Sequence, residues 1–308
     1  MDVRRRWSRP VFVSWGRIAG ATGMPSATML RMALPRWLKV VAVLVVVIVM
    51  VVAVMWSMQR KLIYFPDTQR PETPSGARDV VLHTEDGIDL DGWWWEPQGP
   101  DREAAVLIAN GNAGHRGGRT ILASKLSTRG FHVLQFDYRG YGGNAGSPTQ
   151  EGLYRDAEAA HDWVTGDAGI AAGSVLYFGE SLGTGVVSHL ATVRKPAGML
   201  LRSPFIDLPA VGEHIYPGLP VRALMRDVYP VARNVREVSV PMVVAYGTAD
   251  DIVPAQQSRD VISLAETSSQ VEVVVVSGAG HNDLDLVAGD PVIDAFVRMA
   301  DAAGLAAQ

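Results

Sequence analysis

The most marked pattern along the chain is a stretch that has no polar side. From Val40 to Gln59 there is no charged residue, and Val, Ile, Leu, Met and Ala fill nearly every position. Twenty residues at about 1.5 Å of rise each reach about 30 Å, the thickness of a bilayer's hydrocarbon core. Trp37 and Trp56 stand near its ends, where aromatic rings favour the interface. A buried core helix would keep a polar stripe. A cleavable signal peptide would be shorter and would end in a small-x-small site, which the stretch from Ala53 to Ser57 lacks. The pattern predicts an uncleaved membrane helix over 38–59, after a leader (1–37) expected to be unstructured and before a Pro-rich linker (60–77).

Beyond the linker the period changes. Residues 78–84 and 88–96 alternate apolar and polar positions around Glu85-Asp86-Gly87, which predicts a hairpin. Short apolar runs then alternate with helical spacing. Strands are expected at 104–110, 131–137, 174–180, 198–203, 242–246 and 271–276, all of them buried. Helices are expected at 116–129, 151–165 and 182–193. A last helix is expected near Pro291, with Asp290 as its N-cap. Apolar strands alternating with helices mean a doubly wound, mostly parallel sheet covered on both faces, here with an antiparallel N-terminal edge. The alternation breaks between 206 and 240, where Pro209, Pro217, Pro220 and Pro230 fall. About 35 residues exceed an ordinary connection, so this stretch is expected to be a small lid on one α/β domain spanning 78–308.

Charge adds an orientation. Arg4, Arg5, Arg6, Arg9, Arg17, Arg31, Arg36 and Lys39 precede the apolar run, against Asp2 alone. A basic excess on that side predicts a cytoplasmic N-terminus and an extracytoplasmic α/β domain. Arg60 and Lys61 follow the run closely and weaken the asymmetry; Met24, Met29 and Met32 are alternative starts. The net charge of -4 gives no footprint for nucleic acid. With no cysteine, the chain has no disulfide, thiolate metal site or thiol nucleophile. No cofactor or metal is expected, and the sequence is silent on oligomeric state.

Candidate chemistry gathers where strands end. Gly179-Glu180-Ser181-Leu182-Gly183 follows a strand and opens a helix. A sharp turn there exposes a serine hydroxyl, and glycines on either side are needed because neighbouring chains crowd it. The five letters are common by chance; their placement gives them weight. His281 stands in Ser277-Gly278-Ala279-Gly280-His281-Asn282-Asp283, just past a run of valines. Of seven histidines it is the one in a Gly-rich loop after a strand. His83, His132, His161, His189 and His214 have strand, helix or lid surroundings, and His115 lies near the loop after the strand 104–110. Asp250, in Gly247-Thr248-Ala249-Asp250-Asp251, also follows a strand and is expected to orient the histidine, with Asp251 as its rival. The order Ser181, Asp250, His281 is the one this constellation takes on an α/β sheet. Asn110-Gly111-Asn112-Ala113-Gly114 follows another strand. An oxyanion needs backbone N–H groups, here expected from Leu182 and Asn112.

These stretches, with Leu62-Ile63-Tyr64-Phe65-Pro66, Asp137-Tyr138-Arg139-Gly140-Tyr141-Gly142 and Gly280-His281-Asn282-Asp283, resemble the α/β-hydrolase superfamily. Within it they are similar to the BEM46-like group of ABHD12- and ABHD13-type serine hydrolases, over nearly everything from Leu62 onward. The resemblance implies a serine nucleophile, no cofactor and an N-terminal membrane span. The group usually has His-Gly where this chain has Asn110-Gly111, so the loop carrying Asn112 is where a difference is expected. Asp137 and Arg139 are expected to be structural. The reading is a membrane-anchored esterase working through an acyl-enzyme on Ser181, with a lipid or lysophospholipid ester as a substrate suggested by location. A thioesterase, a peptidase and a non-catalytic binding module are the alternatives.

Overall fold

A computed structural model describes residues 35–268 and 270–307; most of the basic leader lies outside them. The chain divides into two units, Met1–Met50 and Val51–Gln308. Among the described residues one helix, α1 (Arg36–Ile63), is long and apolar enough to cross a membrane; it has 28 residues. It begins at Arg36 and continues past Gln59 to Ile63, four residues into the stretch expected to be linker.

The second unit is built on an eight-stranded sheet. The strands of this unit are β1 (Phe65–Pro66), β2 (Ala77–His83), β3 (Asp89–Trp95), β4 (Ala105–Ala109), β5 (Ala113–Gly114), β6 (His132–Phe136), β7 (Val175–Glu180), β8 (Gly198–Arg202), β9 (Met242–Gly247) and β10 (Val271–Val276). Its helices are α2 (Thr120–Thr128), α3 (Gln150–Gly166), α4 (Leu182–Val193), α5 (Leu208–Ile215), α6 (Val221–Leu224), α7 (Val231–Glu237), α8 (Ala255–Leu264), α9 (Leu284–Val287) and α10 (Asp290–Ala302). The sheet order is β10-β9-β8-β7-β4-β6-β3-β2. From β10 to β6 all neighbours are parallel; β3 pairs antiparallel with β6 and with β2, which gives the expected antiparallel edge. The two short strands pair with each other, Phe65 opposite Ala113.

Successive side chains of a strand point to opposite faces, so each central strand feeds two cores. Leu107 and Ala109 of β4 join one, with Val186, Val187 and Leu190 of α4; Val106 and Ile108 join the other, with Val292, Ile293 and Phe296 of α10. Two expectations need correcting. The stretch 271–276 is not buried: β10 is the sheet's edge, and Val273 and Val275 are exposed. A valine-rich run satisfies a strand's conformation without requiring cover on both faces. The last helix is capped by Gly289, extended at φ -65° and ψ 148°, and Asp290 is its first residue. The carboxylate therefore faces Lys125, at 2.8 Å, rather than the helix's own N–H groups.

Candidate active site

All the predicted site residues lie just past the carboxyl ends of parallel strands: Asn112 after β4, Ser181 after β7, Asp250 after β9 and His281 after β10. That end of an open α/β sheet is where loops are free to diverge into a site. The turn at Ser181 is tight, with φ 50° and ψ -116°, a conformation an L-residue adopts only when its surroundings force it. Gly183 explains part of the force. A Cβ there would lie 2.1 Å from the carbonyl oxygen of Ala109, so α4 can start this close to β4 only on a glycine.

Asp250 and His281 are joined directly. Asp250 Oδ2 lies 2.7 Å from His281 Nδ1, and both residues are buried. The same carboxylate accepts from the Ser203 hydroxyl at 2.9 Å and, through Oδ1, from the N–H groups of Ile252 and Val253. Burial pushes the Asp250 carboxyl up, but His281 and these donors outweigh it and hold the group below the ordinary carboxylate range. Asp251, the rival, is exposed, and Pro254 is the residue at the N-cap of α8. Among the described residues no hydrogen bond joins Ser181 to His281; such bonds commonly tighten only once substrate is bound.

β8 lies between the strands that carry these groups, and its end ties them together. Ser181 N–H donates to the Arg202 carbonyl at 2.9 Å, and the Arg202 guanidinium donates to the His281 carbonyl at 2.6 Å. Arg202 also pairs with Glu180 at 2.8 Å, and Arg119 closes on the other side of that carboxylate, Nε to Oε2 at 2.6 Å. Burial pushes Glu180 up; the two cations more than reverse it and bring the carboxyl down to about 2. No sequence signal points to Arg202, Ser203 or Arg119, because each reads as an ordinary strand end or helix start until the strands are placed side by side.

Leu182 and Asn112 both face the cleft beside Ser181, and among the described residues neither backbone N–H is engaged elsewhere. The Asn112 side chain donates to the Ile63 carbonyl at 2.7 Å and its own carbonyl accepts from Phe65 N–H and from the Tyr141 hydroxyl. Asn110, in the histidine position of the resembled group, is buried and donates to the Phe136 carbonyl at 2.9 Å. It thus pins the loop to β6. His115 accepts from Gly117 N–H and caps the short helix Arg116–Arg119. Asp137 pairs with Arg116, and Arg139 with Asp86 and Asp156, all away from the cleft.

The cleft above Ser181 holds about 1030 Å³ with its open mouth included, and its lining is mostly apolar. Phe205 and, from the lid stretch, Val211, Ile215 and Met225 are part of that lining. Among the described residues no group of three or more His, Asp or Glu side chains is arranged to hold a metal ion.

The family described as Hydrolase_4, serine aminopeptidase S33, matches residues 100–229. Rv2307c, an uncharacterized protein of Mycobacterium tuberculosis, is 44% identical over 267 residues, which cover 85% of this chain and 94% of that protein. The chain belongs to this α/β-hydrolase family. The hydrolase is also similar to the lysophosphatidylserine lipase ABHD12 of Danio rerio, 30% identical over 270 residues covering 72% of this chain and 70% of that one. In fold it matches a Pyrococcus furiosus esterase with a TM-score of 0.64 at 17% identity, over 78% of this chain and 97% of that one. The hydrolase thus sits in a serine hydrolase family, with an esterase among its structural neighbours.

Proposed function

We propose that this hydrolase cleaves carboxylic esters of lipids through an acyl-enzyme on Ser181. The observation that carries the reading is the buried Asp250–His281 hydrogen bond, set across β8 from a serine held in a strained turn beside an apolar cleft. Asp250 occupies Nδ1, which leaves Nε2 of His281 to take the Ser181 proton as Oγ attacks the ester carbonyl. The oxyanion of the tetrahedral intermediate is received by the N–H groups of Leu182 and Asn112. Protonated His281 then gives its proton to the leaving alcohol. A water, deprotonated by the same ring, attacks the acyl-enzyme, and the ring then gives that proton to Ser181 Oγ as the acid leaves.

The apolar cleft favours an acyl chain over a peptide, and the name of the Danio rerio relative points to a lysophospholipid. The basic leader ahead of α1 supports a cytoplasmic N-terminus with the hydrolase unit outside. The test of the chemistry is labelling by a fluorophosphonate together with hydrolysis of p-nitrophenyl esters. Wild type should show both, and Ser181→Ala neither; labelling that survives Ser181→Ala would overturn the assignment of the nucleophile.

A further inference from the structure

Part of the wall of the cleft is made by α1 itself. Met55, Trp56, Gln59 and Leu62 all line it, within the same unit as Ser181. Met55 and Trp56 also belong to the apolar run whose composition suits a bilayer. One short piece of helix therefore has two apolar settings at once, hydrocarbon and substrate cleft.

The contact is built, because a set of polar groups fastens the helix end to the lid stretch. Gln59 Oε1 accepts from Arg226 N–H at 2.7 Å, and its amide donates to the Leu224 carbonyl at 3.3 Å. Arg60 makes a two-point pair with Asp227, at 3.0 and 3.2 Å. The Tyr64 hydroxyl donates to the same buried carboxylate at 3.0 Å and lies 2.9 Å from the Tyr229 hydroxyl. The Arg226 guanidinium sits 4.7 Å from the centre of the Trp56 ring. A buried carboxylate with its partners in place fixes relative position closely, since separating them leaves a charge without compensation. Residues 55–64 and 224–229 behave as one wall.

We propose that this end of the membrane helix is a specificity-determining part of the acyl site: the tail of an ester held at Ser181 lies along Met55, Trp56 and Leu62. The inference rests on the esterase reading above and adds that chain-length preference is set by the anchor. A tail in that position leaves the cleft beside residues that already face hydrocarbon, so a long chain loses little of its apolar contact on moving between bilayer and site.

The experiment uses the full chain in detergent micelles and reads the ratio of kcat/KM for p-nitrophenyl laurate to that for p-nitrophenyl butyrate. A ratio is insensitive to the folded fraction of a variant. Met55→Trp, which fills the cleft, and Trp56→Ala, which removes its wall, should each lower the ratio about tenfold, the effect of losing burial of about two methylenes. Trp56→Phe should restore most of it, and Val46→Ala, on the same helix within the first unit, should leave the ratio at the wild-type value. Ratios unchanged in both Met55→Trp and Trp56→Ala, whether or not overall activity falls, would overturn the inference while leaving the esterase reading intact. A wild type that hydrolyses neither ester would overturn the esterase reading and the inference with it.

Discussion

Arg202 holds His281 by its backbone: the guanidinium donates to the histidine's carbonyl at 2.6 Å while its other side faces the carboxylate of Glu180. Glu180 is the residue before Ser181, so one buried arginine spans from the strand that leads into Ser181 to the histidine's loop. Its role is to position, since it touches neither the cleft nor the imidazole.

Removing one member of that group should be costly. Arg202→Met should lower stability at neutral pH by roughly 3–5 kcal/mol, because Glu180 would keep Arg119 alone. The pH dependence has a defined sign. Glu180 has its carboxyl brought from 4.5 to about 2 on folding, so its contribution is complete above about 4.5 and is lost as pH falls toward 2. Glu180→Gln should be less stable than wild type at pH 7, and its stability should depend less on pH between about 4.5 and 2. Urea unfolding at several pH values checks both; a wild-type slope retained by Glu180→Gln would place the acid sensitivity elsewhere.

The two neighbouring aspartates should separate cleanly. Asp250→Asn keeps the shape but lets the imidazole take the wrong tautomer, which should lower turnover of a short ester by up to about 10⁴. Asp251→Asn, on an exposed side chain, should stay within about twofold of wild type. Steady-state kinetics on the two variants decides the matter, and greater damage from Asp251→Asn would reverse the assignment.

Two glycines should respond oppositely to alanine. Gly183→Ala drives a methyl to 2.1 Å from the Ala109 oxygen, a backbone atom of a central strand, and should destabilise by about 3 kcal/mol or more. Gly166, at the end of α3, has open space around a built Cβ, so Gly166→Ala should stabilise by roughly 0.5–1 kcal/mol. Thermal melts of the two variants test whether crowding at the turn, rather than glycine content, is what matters.

Topology can be read with a reporter fused after Gln308. Activity of the reporter outside the cytoplasm, and retention of the protein in carbonate-washed membranes, are the expected results. Reporter activity in the cytoplasm would invert the proposed orientation, and release by carbonate would remove the anchor.

Most of the architecture was legible because period and punctuation agree. The strand ending at Glu180 and the helix opening at Leu182 were both readable to within a residue, and the glycines around Ser181 mark the turn between them. Asp250 and His281 were readable for the same reason, each in a loop directly after an apolar run. The position of β10 at the edge was not, since a run of valines carries no record of whether a neighbour covers it. Arg202 was invisible because its partners come from the end of β7 and from the loop at His281, and these meet only when the sheet forms. The second role of α1 was hidden by composition. Met55 and Leu62 would look the same facing lipid or facing a cleft, and the polar signs of a docked helix, Gln59 and Arg60, read as its interfacial end.

The backbone at Ser181 bears on how an inactive form of the hydrolase is best made. A residue held at φ 50° and ψ -116° carries strain on the order of 1–3 kcal/mol that the rest of the domain must hold in place. Alanine at this position abolishes the hydroxyl and keeps the strain; glycine abolishes the hydroxyl and lets it go. The two substitutions are therefore different proteins as controls. Ser181→Ala preserves the cleft floor for trapping an intact ester, whereas Ser181→Gly relaxes the turn and suits work in which a sturdier scaffold matters more than a faithful one.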